Sequence, residues 1–191
     1  MIHNVKYYSQ FRDVEREEWQ PRACSLVCLR MALEFLKDTD ASSVDALIDE
    51  ALLLKGWTPE GWLHDVLSLI AHNHGVASYR EEFRSMTADS NTQTFSLSPF
   101  TEEILRYGVY KLASHLEANG LAIVSTYKNL DPKESFHTVL LIGVEREEER
   151  VTGFYYHDPN TLLGEKENQL APLSQFLESW RKMAVLLNSI K

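Results

Sequence analysis

At Asn119-Gly120 the chain changes its hydrophobic period, and this change constrains the fold more than any other feature. Before it, apolar residues recur at helical spacing. After it come three short runs, LAIVSTY (121–127), TVLLIGVE (138–145) and VTGFYYHD (151–158), rich in β-branched and aromatic residues. Runs of this kind read as buried strands. Helices first and strands later, at hairpin-sized spacing, predict an α+β fold. A helical N-terminal half would pack on a mainly antiparallel sheet from the C-terminal half.

The individual helices follow from the same periodicity. Between Ser25 and Leu36 apolar residues stand at 26, 29, 33 and 36, with a second row at 27, 31 and 35, which predicts a helix buried on two adjacent faces. A second helix is expected from Ser43 to Leu54, with Ser42 and Asp45 as its capping box. A third opens on Thr58 as cap with Pro59 at its first position and runs to His72. Gly75 ends it and leads into a short strand, Val76 to Tyr79. The polar, aperiodic stretch at 85–99 predicts an exposed loop, and Thr101 caps a further helix from Glu102 to Ala118. The charged run at 145–150 reads as a solvated hairpin turn. Pro172 and Ser174 begin a last helix through Lys182, and 183–187 is a final strand. Neither a repeat nor a linker divides the chain, so residues 1–191 are expected to form one domain.

Composition excludes several functions. The 191 residues carry 19 basic and 28 acidic side chains, a net charge of −9, with no basic stripe for phosphates; nucleic acid is not an expected partner. The two cysteines, Cys24 and Cys28, are too few for a disulfide framework or a four-thiolate zinc site. One turn apart on a helix, they are expected to be free thiols. No apolar run approaches the roughly 18 residues of a membrane span. A reducing compartment, most simply the cytosol, is the expected location. His64, His72 and His74 fall on or just after one expected helix, but no further ligand completes a metal set, and neither metal nor cofactor is predicted. Trp57 and Trp62 read as core.

Cys24 stands where its helix is expected to start, at the positive end of the helix dipole beside unpaired amide hydrogens, both of which favour a thiolate. Cys28, one turn further in, reads as core. A thiol nucleophile needs a base and a group to orient that base. His137 lies at the mouth of the 138–145 strand, and Asp158 ends the next one. A hairpin would bring them to the same end, where the carboxylate would hold the imidazole in one tautomer. A glutamine amide upstream, Gln10 or Gln20, would supply an oxyanion donor. Each of these residues taken singly is also an ordinary packing, turn or surface residue.

Taken in order, the elements YYSQ (7–10), Trp19, ACSLVCLRM (23–31), FHTVLLIGV (136–144) and HDPN (157–160) resemble the papain-like cysteine peptidases of the bacteriocin-processing, double-glycine leader peptidase type. FLESW (176–180) resembles that family's closing helix, and the two Gly-Trp pairs at 56–57 and 61–62 its middle section. The resemblance covers nearly the whole chain. It implies a papain-like fold, Cys24 as nucleophile, His137 as general base, Asp158 as its orienter and Gln10 as oxyanion donor, with Gln20 in reserve. It departs at Ser25, where the family carries glycine directly after the cysteine. The implied activity is a thiol hydrolase or peptidase acting on a peptide or protein through a Cys24 thioester, by hydrolysis or by transfer to an amine. The alternative is a papain-like domain that has lost catalysis and binds a peptide or protein in its cleft.

Overall fold

The computed structural model describes residues 1–37, 41–162 and 165–190. A 3-10 turn, Gln20–Arg22, leads into α1 (Cys24–Lys37), whose first apolar row is buried throughout and whose second is buried except for the half-buried Phe35. Helix α2 (Val44–Leu53) is capped by Ser43, whose hydroxyl accepts from the Ala46 amide. The expected cap partner, Asp45, is instead turned to the N-terminal arm, where it accepts from the Glu15 and Arg16 amides and the Arg16 guanidinium. Thr58-Pro59 does not open a helix. Residues Trp57–Thr58 (β1) and Gly61–Trp62 (β2) form a minimal hairpin, with Gly61 at φ 121°, and α3 begins only afterwards, at His64–Asn73. A cap sequence followed by glycine in a left-handed conformation closes a turn more readily than it starts a helix.

Strand β3 (Ala77–Glu82) follows Gly75, itself at positive φ. Met86–Asp89 (β4) and Thr94–Leu97 (β5) pair as an exposed hairpin within the stretch read as a loop, since residues 90–93, with Gln93 at positive φ, supply the turn that lets the two segments pair. Helix α4 (Thr101–Glu117) ends at Asn119, at φ 63°. Then come β6 (Leu121–Tyr127), β7 (Phe136–Glu147), β8 (Arg150–His157), β9 (Gln169–Pro172), α5 (Leu173–Ser179) and β10 (Met183–Asn188).

Among the described residues the main sheet has the order β3-β10-β6-β7-β8-β9, antiparallel throughout. Both its faces are covered, which is why its central strands read as continuous apolar runs. Leu121, Ile123, Leu140 and Ile142 join the core formed with α1, α2 and α3. Ala122, Val124, Val139 and Leu141 join a second core with Leu112, Leu116, Phe176 and Trp180 of α4 and α5 and its flank. The fold is thus α+β and papain-like, with one strand, β3, drawn into the sheet from the N-terminal half and two helices on the far face.

The N-terminal arm is stitched along β7. A register shift between Leu141 and Gly143 marks a bulge, and there Ile2 bridges Gly143 while the His3 amide donates to the Ile142 carbonyl at 2.8 Å. The arm then runs past the end of β8, where the Tyr7 hydroxyl donates to the Asp158 carbonyl at 2.9 Å. These contacts carry it to the turn that holds Gln10.

Candidate active site

Cys24 is the first residue of α1, so its side chain meets the helix end at which the first-turn amides have no intrahelical acceptor. This end of the helix meets the sheet where β6 ends and β7 begins, with Ser25 bonded to Thr138. There His137 pairs with Thr126 and Thr138 with Ser125. Asp158 follows β8 directly, and antiparallel pairing of β7 with β8 returns it to His137.

The imidazole Nε2–H of His137 donates to Asp158 Oδ1 at 2.6 Å, with His137 and Asp158 only 4% and 3% exposed. With Nε2 engaged, Nδ1 is the ring atom left to interact with Cys24, which lines the same cleft. Burial alone would raise the Cys24 thiol, yet the hydrogen bond and charge of His137, aided by Thr138 and Ser25, bring its pKa down. Burial alone would depress His137, but Asp158 and Cys24 outweigh it and lift the ring to about 9. Burial would raise Asp158, yet the His137 bond and charge, the Asn160 amide and Lys166 hold it at about 2. Three groups therefore stabilise one another's charged forms. Cys28 goes the opposite way. Burial, then Cys24, then Asp158 push its thiol well above the ordinary range, and its S–H donates to the Thr138 carbonyl at 3.7 Å.

Lys166 completes the carboxylate's surroundings, donating to Asp158 Oδ2 at 3.1 Å and to Asn129 at 2.8 Å. Nothing in the sequence singles it out, since it lies on an irregular turn eight positions beyond the aspartate. Thr138, beside His137, was equally unmarked. Its hydroxyl and that of Ser25 share a hydrogen bond of 2.9 Å, so the side chain standing in place of a glycine is tied to the sheet.

Gln10 is 1% exposed, its backbone N–H donates to the Pro159 carbonyl at 2.9 Å, and its side-chain Oε1 has no hydrogen-bond partner among the described residues. Its turn is locked by Ser9, whose hydroxyl donates to the Thr161 carbonyl and whose amide donates to Asp13. Gln20 uses its side-chain amide on the Val14 carbonyl at 3.0 Å. The three histidines on or just after α3 are dispersed: His72 bonds the Ser78 backbone, His74 pairs with Glu50 and His64 faces the cleft.

Above Cys24 and His137 opens a cleft of about 480 Å³. Trp57, Gly61 and Trp62 form one wall, and Phe136, Ser125 and Arg181 another. The two tryptophans therefore line the cleft rather than simply filling the core, stacked edgewise with Trp19 behind them.

A cysteine at a helix start, a buried histidine–aspartate pair on an antiparallel sheet and a cleft between the two define a papain-like cysteine peptidase fold. The profile of the Peptidase_C39 like family matches residues 2–186, and the chain belongs to that family. Its structural neighbours include a C39-like peptidase from Bacillus anthracis, at TM-score 0.63 and 14% identity over 96% of this chain and 94% of that one. A second is the peptidase domain of Streptococcus ComA, a bifunctional ABC transporter of a quorum-sensing pathway, at TM-score 0.56 and 13% identity over 88% and 92%. A third is a double-glycine-motif protease from an AMS/PCAT transporter bound to its leader peptide, at TM-score 0.54 and 14% identity over 98% and 94%. No curated protein sequence matches the chain significantly.

Proposed function

We propose that this protein is a cysteine peptidase or amidase that cleaves or transfers an acyl group through a thioester on Cys24. The observation that carries the reading is the buried His137–Asp158 hydrogen bond of 2.6 Å, with Cys24 at a helix start beside it on the floor of an open cleft. In it the Cys24 thiolate attacks the substrate carbonyl. The Cys24 amide at the helix start and the Gln10 side chain would face the oxyanion, a type of donor whose loss costs about 2.7–4 kcal/mol. Nδ1–H of His137 gives its proton to the departing amine, leaving the thioester and a neutral imidazole. Water, or an incoming amine, then loses a proton to Nδ1 as it attacks, and the thiolate leaves. Asp158 keeps its charge throughout and holds the ring. A peptide or protein substrate fits this cleft, in line with the leader peptide held by the AMS/PCAT neighbour. Among the described residues no helix is long and apolar enough to cross a membrane, and the two cysteines are free thiols, which suits the cytosolic location proposed here.

Alkylation with iodoacetamide tests this directly. At a pH of about 6 an ordinary thiol is almost wholly protonated, so Cys24 should react well ahead of a free cysteine. Cys24→Ala should abolish that fast phase, and His137→Ala should slow it. A Cys24 that labels no faster than free cysteine would sink the catalytic reading and leave a peptide-binding module.

A further inference from the structure

The cleft carries a cation that the chemistry just described does not use. Arg181 lies between α5 and β10, and its backbone amide donates to the Ser125 carbonyl at 2.9 Å. Its guanidinium carbon sits 3.6 Å from the centre of the Phe136 ring, the residue next to His137, and Nη1 reaches the Ser125 hydroxyl at 3.4 Å. Stacking and that single side-chain bond hold the planar fork in place over the cleft wall. Among the described residues no carboxylate forms an ion pair with it. Glu82, which lines a hollow with Arg181, is already taken by Arg80 and by Arg84 at 2.9 Å. These two arginines line, with His64 and Arg181, a small hollow continuous with the cleft. Glu60 is the one carboxylate lining the cleft among the described residues, and Arg22, over the Trp57 ring, supplies a second cation. On a chain of net charge −9, a cleft of positive sign is a local exception, and a fixed, unpaired guanidinium beside a nucleophile is suited to hold an anion by two parallel hydrogen bonds.

We propose that Arg181 reads a carboxylate on the substrate close to the scissile bond, making this a thiol hydrolase selective for acidic or free-ended peptides. The proposal rests on Cys24 being the nucleophile. The carboxylate belongs either to an acidic side chain or to the peptide's C-terminus, and both present the same planar pair of oxygens to the fork.

The test compares two reagents that differ in one group, iodoacetate and iodoacetamide. Each reacts by forming a bond from Cys24 sulfur to the methylene carbon as iodide leaves, and the change in their rate ratio between wild type and an Arg181 variant cancels their intrinsic reactivities and the pull of His137, leaving what Arg181 contributes. The ratio of iodoacetate to iodoacetamide rates at Cys24 should fall about tenfold in Arg181→Gln, the size of one charge-assisted contact, and be largely kept in Arg181→Lys. Circular dichroism checks that the variants fold. Should Arg181→Gln not fold, Phe136→Ala, which removes the surface that holds the guanidinium, must lower the ratio instead. An unchanged ratio in a folded Arg181→Gln protein overturns the carboxylate site, while rapid iodoacetamide labelling in the same experiment leaves Cys24 as nucleophile. Slow labelling by both reagents overturns both. Two blocked tripeptides then separate the sources, one whose only carboxylate is a glutamate side chain and one whose only carboxylate is its C-terminus. The acid that shields Cys24 from iodoacetamide better than its own amide names the source, and shielding by neither counts against the proposal.

Discussion

The three titratable groups at the cleft floor are individually poor choices for burial, and each favours the charged form of the next. A carboxylate as enclosed as Asp158 would ordinarily take up a proton. The His137 imidazolium, two amide and ammonium donors and the short 2.6 Å bond reverse that preference. The consequence for pH follows from the signs. His137, lifted from 6.5 to about 9, stabilises the folded chain fully below 6.5 and ceases to do so as the pH rises through about 9. Asp158, held near 2 instead of 3.8, stabilises above 3.8 and ceases to do so as the pH falls through about 2. Both statements describe one interaction and are not additive. Asp158→Asn should therefore bring the His137 titration, followed by the proton resonances of its ring, down from about 9 toward 6.5. Cys24→Ala should move it the same way, since Cys24 also raises the ring. A titration that stays in place in Asp158→Asn would mean that the carboxylate does not set the charge of the base.

Among the elements, the docking of the N-terminal arm on β7 depends on one missing side chain. A Cβ at Gly143 would meet the Met1 carbonyl oxygen and lie 2.8 Å from Ile2 Cα, both backbone atoms that cannot swing aside. Gly143→Ala should thus cost about 1–3 kcal/mol, the usual range for overpacking, read as a lower urea midpoint. Because the same arm leads to Gln10 and the Asp158 carbonyl, the variant should also slow Cys24 labelling. Unchanged stability would show that the arm is not held there. Nothing local announces this docking: the arm has no period, and its partner strand lies some 140 positions away in the chain. What periodicity does announce was recovered well. Strand β6 coincides with the apolar run at 121–127, and α1 with its doubled apolar rows, because burial dictates both. The misplaced start of α3 has the opposite cause, since Thr58-Pro59 satisfies the rules for a cap and only the backbone at Gly61 shows it serving a turn. At the site, Cys24, His137 and Asp158 were legible because they sit at element ends beside recognisable runs. Lys166, Thr138 and Arg181 were not, for a lysine on a turn, a threonine in a strand and an arginine after a helix are the commonest surroundings those residues have.

At the scale of the molecule, one sheet serves two cores. Successive residues of β6 and β7 enter opposite cores, so neither core can lose its packing without uncovering the back of the other. The exposed β4–β5 hairpin stands outside this arrangement. None of its residues is buried, and Ser85 and Ser98 at its base are already joined by a backbone hydrogen bond of 3.2 Å. Replacing residues 86–97 by a short glycine-serine turn should therefore change stability by less than about 1 kcal/mol, as for a surface change that touches no core. The shared sheet leads to a stronger expectation, that the proposed single domain unfolds in one step. Trp19, Trp57 and Trp62 report on the first core and Trp180 on the second. In a Trp180→Phe protein, tryptophan fluorescence follows the first core alone, whereas far-ultraviolet circular dichroism also follows α4 and α5 on the other face. Coincident urea transitions by the two signals are expected, because the sheet residues that complete the first core are the neighbours in sequence of those that complete the second. Two separated transitions would mean that the faces unfold independently. The cleft would then be bounded by two units, since Cys24 rides on a helix of the first core while Arg181 follows Trp180 of the second.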